Sequence, residues 1–347
     1  MKKYFRLYPE CYLIPGIRSA VIYNILNRNA VELNGKEMET VIASEKNNIV
    51  DSEDELFGKL ADFEYGCFLD SQVYIDKLRP YDAYNLELFW KNIPNIQFAI
   101  FQITNDCSLT CEDCEMSVCP SCLKFPDYSA SKPLQLSDYS NILPKLREQG
   151  LKKVILTGGD ISKFSQLSKL VNLIKSFELD ILMCVNGLHP INVKDKNIEI
   201  YLSMKNGQSI DQVNANFKEF SNVTVFCRDN FSNIPSTWRS AKTITKTLTH
   251  SFSPVSIDEF FVKEHYVACL LGKLYVNHVG DIYPCWGNTK KKLGNILNVN
   301  LAKINFELYE QFWRKFPALY GCRKCPKYHG CNHCYLKMLG PERACCE

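Results

Sequence analysis

The sequence predicts an α/β protein: a partial (β/α)6 barrel with a small α+β domain before it and a small cysteine-rich domain after it. From Ile96 onward, apolar runs of strand length alternate with helical patterns, as a parallel sheet with crossover helices requires. Before Ile96, short strands are followed by short helices. After about Tyr266 the alternation stops, and cysteine, glycine, asparagine and lysine accumulate. The expected domains are 1–92, 93–262 and 263–347.

In the first domain Tyr4 to Ile14 reads as one strand. Ser19–Asn24 and Ala30–Leu33 are apolar runs on either side of Asn27-Arg-Asn29, a hairpin-turn composition. Asn34-Gly35 leads into a helical pattern over Glu37–Ala43, and apolar residues three and four apart mark a second over Asp54–Phe68. Barrel strands are expected at Gln97–Ile103, Lys153–Thr157, Leu179–Val185, Ile198–Ser203, Asn222–Phe226 and Thr243–Leu248. Helices fit Ser137–Gln149, Ser165–Phe177, Ser209–Phe220 and Pro235–Ala241, whereas the span from Gly187 to Ile198 is too short for a crossover helix. Six strands in about 155 residues make a partial barrel, against about 250 residues for a complete eightfold one. In the last domain two short strands are expected around a Val279-Gly-Asp281 turn, with Cys269 and Cys285 at either end of the hairpin.

There are 17 cysteines in 347 residues. The first 25 residues carry no basic, then apolar, then small-residue pattern of a signal peptide, and no apolar run approaches the length that crosses a bilayer. A cytoplasmic protein is expected, and there thiols stay reduced, so metal ligation explains the cysteines better than disulfides do. The net charge is +3, with 41 basic and 38 acidic residues interspersed, so neither a nucleic-acid nor a membrane partner is expected.

The most telling spacing is Cys107-x3-Cys111-x2-Cys114, directly after the first barrel strand, where parallel barrels carry their active sites. Three thiolates on one loop can hold three irons of a 4Fe–4S cluster and leave the fourth without a protein ligand. A zinc site would instead favour four ligands in paired spacings. The second strand ends Thr157-Gly-Gly-Asp160, the third Val185-Asn-Gly187 and the fourth Leu202-Ser203-Met-Lys205. Glycines at a strand end let the backbone approach a ligand with no Cβ in the way. Cys119 and Cys122 form a further C-x2-C, a metal or redox pair or two incidental loop thiols. Cys11, Cys67, Cys184 and Cys227 fall within strand or helix patterns and read as buried apolar filler.

Together these motifs resemble the radical S-adenosylmethionine (SAM) enzymes. The resemblance implies that Cys107, Cys111 and Cys114 ligate a catalytic cluster whose open iron is chelated by SAM. It implies that Gly158, Gly159 and Asp160 stand at the family's Gly-Gly-Glu motif, with Asp for Glu, and that Ser203 reaches the ribose or carboxylate of SAM. Asp113, before the third cysteine, departs from the aromatic or bulky residue that contacts adenine in the family.

The C-terminal cysteines follow Cys269-x10-Gly280-x4-Cys285, then Cys322-x2-Cys325-x5-Cys331-x2-Cys334, then Cys345 and Cys346. This resembles the SPASM domain, the auxiliary-cluster extension of peptide- and protein-modifying radical SAM enzymes, with x2 where the family has x3 before Cys334. Lys292-Leu-Gly-Asn-Ile296 is similar to the family's Leu-Gly-Asn-Ile segment. By that resemblance Cys269, Cys285 and Cys334 hold one auxiliary cluster. Cys322, Cys325, Cys331 and either Cys345 or Cys346 hold the other. Two zinc knuckles are the competing assignment.

The resemblance thus implies three 4Fe–4S clusters and SAM as cofactors, with a deoxyadenosyl radical abstracting hydrogen from a ribosomally made precursor peptide. A cross-link is the expected product class. Residues 1–92 resemble the winged-helix peptide-recognition modules of such enzymes, where a leader peptide adds as a strand; a structural cap on the barrel is the other reading. The implied partners are the precursor peptide and a reductase, flavodoxin or ferredoxin as electron donor. A sulfatase-maturing type of enzyme, or a degenerate barrel that binds peptide without cleaving SAM, would carry similar motifs.

Overall fold

The computed structural model describes residues 1–79, 95–109, 132–204, 209–227, 238–242, 255–285, 291–314 and 325–331. It divides into two units: Met1–Asn92, Thr249–Cys269 and Trp313–Glu347 form one, Ile93–Leu248 and Leu270–Phe312 the other.

In the first unit, strands β1 (Lys2–Leu7), β2 (Cys11–Pro15), β3 (Ser19–Asn24) and β4 (Asn29–Asn34) precede helix α1 (Gly35–Glu45). Strand β5 (Ile49–Asp51), helix α2 (Glu55–Asp62) and strand β6 (Gly66–Leu69) follow. They make two three-stranded sheets, β5-β1-β6 and β2-β3-β4. The hairpin at Asn27-Arg-Asn29 forms as expected, with Asn24 opposite Asn29 and Arg28 at a φ of 53°. Asn34 and Glu37 close a capping box at the start of α1. Two expectations fail here. The single strand over Tyr4–Ile14 is broken at Pro9, which has no N–H to give a ladder, and its halves enter different sheets. The second helix ends at Asp62, not Phe68, because Glu64 turns into the left-handed region at a φ of 59° and the chain re-extends as β6. Phe5, Leu7, Ile22, Val41 and Phe57 form the main core of this unit.

In the second unit, strands β7 (Phe98–Thr104), β8 (Lys153–Gly158), β9 (Asp180–Val185), β10 (Glu199–Ser203), β11 (Val223–Cys227) and β12 (Arg239–Lys242) pair parallel in sequence order. Helices α3 (Leu136–Glu148), α4 (Leu167–Ser176) and α5 (Ile210–Phe217) connect them, and no helix lies between β9 and β10. Strands such as Val154-Ile-Leu156 are apolar on consecutive residues because crossover helices cover a parallel sheet. The helix expected over Pro235–Ala241 is overturned where described: Arg239–Lys242 pairs with β11 as the sixth strand. An open parallel edge outweighs weak local preference. The strand expected at Thr243–Leu248 lies outside the described residues.

Helix α6 (Ile257–His265) belongs to the first unit and opens on a capping box between Ser256 and Glu259. Strands β13 (Lys273–Val276) and β14 (Asp281–Tyr283) form the expected hairpin, followed by β15 (Gly294–Asn295) and helix α7 (Leu301–Leu308). Unforeseen is that β13 also pairs parallel with β7, so the nine-stranded sheet runs β12-β11-β10-β9-β8-β7-β13-β14-β15. No helix among the described residues is long and apolar enough to cross a membrane.

Candidate functional site

The C-terminal ends of β7 to β10 converge on the chemistry-bearing residues. Past β7 the chain is tied to the end of β8: the Gly159 N–H donates to the Thr104 carbonyl at 3.2 Å and the Asp160 N–H to the Asp106 carbonyl at 2.7 Å. This close approach explains the glycine pair. Gly158 has a φ of 135°, and a Cβ there would run into the Thr104 carbonyl. A Cβ on Gly159 would stand 2.5 Å from the Asp106 carbonyl oxygen and 2.7 Å from Cys107 Cβ.

Asn186, at the end of β9, is buried and presents its Nδ2 to Cys107 Sγ at 3.9 Å and to the Gly159 carbonyl at 3.5 Å. One side chain therefore touches all three strand-end loops. Asp160 is 2% exposed. Its Oδ1 accepts from the Ser162 N–H at 3.2 Å and the Ser162 hydroxyl at 2.5 Å, and His189 Nδ1 lies 2.7 Å from its Oδ2. Ser203 is buried at the end of β10, and its hydroxyl makes no hydrogen bond among the described residues. A cleft of about 390 Å³ opens beside Thr104 and Asn105, lined also by Gln135, Phe164, Ser165 and Gln166.

Of the expected ligands of the first cluster, Cys107 is described and partly exposed, while Cys111 and Cys114 lie outside the described residues, as do Cys119 and Cys122. A thiol at Cys107, a glycine cradle that no Cβ could share and an orphaned hydroxyl at Ser203 fit a cluster with a small polar cofactor beside it. Sequence reasoning singled out the Gly-Gly-Asp and Asn-Gly segments, but gave Asn186 no role and missed His189 altogether. The Asn-Gly turn at a strand end was the available signal; nothing in Leu188-His-Pro190 marks the histidine.

In the C-terminal region Cys269 is exposed in the first unit, and Cys285 is buried in the second at the end of the β13–β14 hairpin. The hairpin turn is organised by Asn277, whose Oδ1 accepts from the N–H groups of Val279 and Asp281. Asn295 donates to the Val279 carbonyl and to Asp281, which also pairs with Lys292 at 2.7 Å. The Leu-Gly-Asn-Ile segment therefore clamps the turn ahead of Cys285. Cys325 and Cys331 are partly exposed thiols of one tight turn, closed by the Tyr328 N–H to the Cys325 carbonyl and the Cys331 N–H to the Tyr328 carbonyl. Cys322, Cys334, Cys345 and Cys346 lie outside the described residues. Among the filler cysteines, Cys11 and Cys184 are fully buried and Cys67 is partly buried; the Cys227 side chain lies outside the described residues. Burial pushes the Cys11 thiol up to about 12, so it stays protonated and apolar in character.

The SPASM model, an iron–sulfur cluster-binding domain, matches residues 269–335. No protein of curated function matches the chain. Among solved structures, Streptococcus suis SuiB bound to the precursor peptide SuiA is 14% identical over 96% of each chain, with a TM-score of 0.47. The same protein bound to S-adenosylmethionine is 14% identical over 99% of this chain and 100% of that one, with a TM-score of 0.43. BtrN in an open conformation is 10% identical over 69% and 92%, with a TM-score of 0.33.

Proposed function

We propose that this chain is a radical SAM enzyme that modifies, most simply by cross-linking, a ribosomally made precursor peptide. The observation that carries the reading is the meeting of Cys107, Gly159 and Asn186 at the C-terminal ends of consecutive parallel strands, in a chain whose residues 269–335 match an iron–sulfur cluster-binding family.

In this reading Cys107, Cys111 and Cys114 hold one 4Fe–4S cluster, and the C-terminal cysteines hold two more. When bound, the cluster and SAM supply a one-electron reduction that yields a carbon radical able to take hydrogen from an unactivated C–H bond. The chain's own residues bind and orient. Gly158 and Gly159 offer strand-end backbone to the amino group of SAM without a side chain in the way. Asp160 is held by Ser162 and His189, so it presents a fixed carboxylate beside that backbone. Ser203 offers its hydroxyl to the ribose or carboxylate. Asn186 ties the Cys107 loop to the neighbouring strand ends. The cleft of about 390 Å³ beside Asn105 would give a peptide segment room next to these strand ends. Residues 1–92 would take the leader peptide as an added strand on one of their two small sheets. A flavodoxin, ferredoxin or reductase would deliver the electron.

Anaerobic reconstitution tests the reading: about twelve irons per chain are expected for three cubane clusters. Incubation with SAM and a reductant should release 5′-deoxyadenosine, and the triple variant Cys107→Ala, Cys111→Ala, Cys114→Ala should release none. Co-expression with a peptide encoded beside the gene should return that peptide lighter by two hydrogens. A wild-type protein that binds peptide and iron but makes no deoxyadenosine would return the chain to the degenerate-barrel reading.

A further inference from the structure

The turn that carries Cys325 and Cys331 is tied to the rest of the first unit by side chains from two distant elements. Tyr23, on β3, is fully buried; its hydroxyl donates to the Pro326 carbonyl at 2.9 Å and accepts from the Gly330 N–H at 3.2 Å. Lys263, on α6, donates to the His329 carbonyl at 2.6 Å and the Cys331 carbonyl at 3.4 Å. Two side chains thus satisfy four backbone groups of a seven-residue turn.

The packing agrees. His329 is buried and stacks on Phe260 with ring centroids 4.0 Å apart, while Tyr23 meets its edge at 5.6 Å. Gly16, before β3, leaves room for Pro326: a Cβ there would lie 2.5 Å from Pro326 Cδ. Lys327 pairs with Glu32 of β4 at 2.6 Å.

We propose that Tyr23 and Lys263 are positioning residues that preset Cys325 and Cys331 as a ligand pair for the second auxiliary cluster, which builds the β2-β3-β4 sheet into the support of that site. The proposal rests on the reading of these thiols as cluster ligands. Its physical basis is that a short turn has little structure of its own, so the side chains that satisfy its backbone decide where its thiols point.

The test uses the full chain, reconstituted anaerobically, with Tyr23→Phe, Lys263→Met and Lys263→Arg. Tyr23→Phe keeps the ring and the packing and removes only the hydroxyl. The readout is the rate at which a ferrous chelator strips iron, together with the rate at which iodoacetamide modifies Cys325 and Cys331 in the metal-free protein. Loss of one or two hydrogen bonds at a ligand loop predicts roughly tenfold faster release of about one third of the iron, with the remainder at the wild-type rate. Tyr23→Phe should alkylate Cys325 and Cys331 faster, without a change at Cys269, and Lys263→Arg should keep most of the wild-type iron-release rate. A general loss of stability would speed every phase and every thiol alike. Wild-type iron-release and alkylation rates in both Tyr23→Phe and Lys263→Met, or a uniform acceleration, would overturn the proposal. If the wild type holds zinc in these cysteines, the cluster reading falls instead. Chelator release of that zinc from the same variants then decides whether Tyr23 and Lys263 preset the pair.

Discussion

His189 Nδ1 stands 2.7 Å from Asp160 Oδ2, so a half-exposed ring covers the outer oxygen of a carboxylate that is itself 2% exposed. The inner oxygen has two donors of its own, the N–H and hydroxyl of Ser162. The two sides of this carboxylate therefore differ in what a substitution removes. Asp160→Ala leaves the part-buried Ser162 N–H and hydroxyl without their acceptor, at a cost of about 1–3 kcal/mol. His189→Ala leaves the outer oxygen to water and should cost less than about 1 kcal/mol. Denaturant unfolding of both variants checks the order, and equal losses would show that the inner oxygen has no special part.

Ser203 separates binding from stability. Its hydroxyl is buried and makes no hydrogen bond among the described residues, so Ser203→Ala should change the melting temperature little. If the hydroxyl serves SAM, the same variant should weaken SAM binding up to about tenfold, the worth of one neutral hydrogen bond. Isothermal titration of SAM against the two reconstituted proteins reads this directly. Equal affinities would remove Ser203 from the site.

Gly159→Ala should act on the cluster loop rather than on the sheet core. The new methyl meets the Asp106 carbonyl and Cys107 Cβ, so the loop must give way, at a cost of about 1–3 kcal/mol. The expected result is loss of about one third of the iron and at least tenfold slower deoxyadenosine formation. Retention of all iron with full turnover would mean that the loop moves freely.

Cys11 gives the first unit a pH dependence. Its folded-state thiol is raised by burial from the ordinary value near 9 to about 12, so ionisation is easier in the unfolded chain. The stabilisation is complete below pH 9 and is lost as pH rises towards about 12. Cys11→Ala should therefore flatten the fall in denaturation midpoint between pH 9 and 11. Parallel slopes for the two proteins would count against a buried neutral thiol.

Chain periodicity alone determined the first βα units, because the ends of β7 to β10 are marked by a local change from a strand pattern to glycine, asparagine or serine. It also determined the hairpin at Asn27-Arg-Asn29 and the turn at Val279-Gly-Asp281, where a few adjacent residues set the backbone. What failed was non-local. Arg239–Lys242 became a strand because β11 offered it a parallel edge, and β13 joined β7 although the paired residues Leu274 and Ala99 lie far apart in the chain; only pairing of distant backbones decides such a contact. Cysteine spacing revealed candidate ligands, since ligand geometry is written in short intervals. The supports around them were invisible: Asn186 beside Cys107, His189 on Asp160, and Tyr23 and Lys263 on the Cys325–Cys331 turn. Each pair is far apart in sequence and is made by a single side chain of ordinary type. A hydrogen bond across such a distance exists only once the tertiary fold has brought donor and acceptor together, whereas a spacing motif is complete within its own loop.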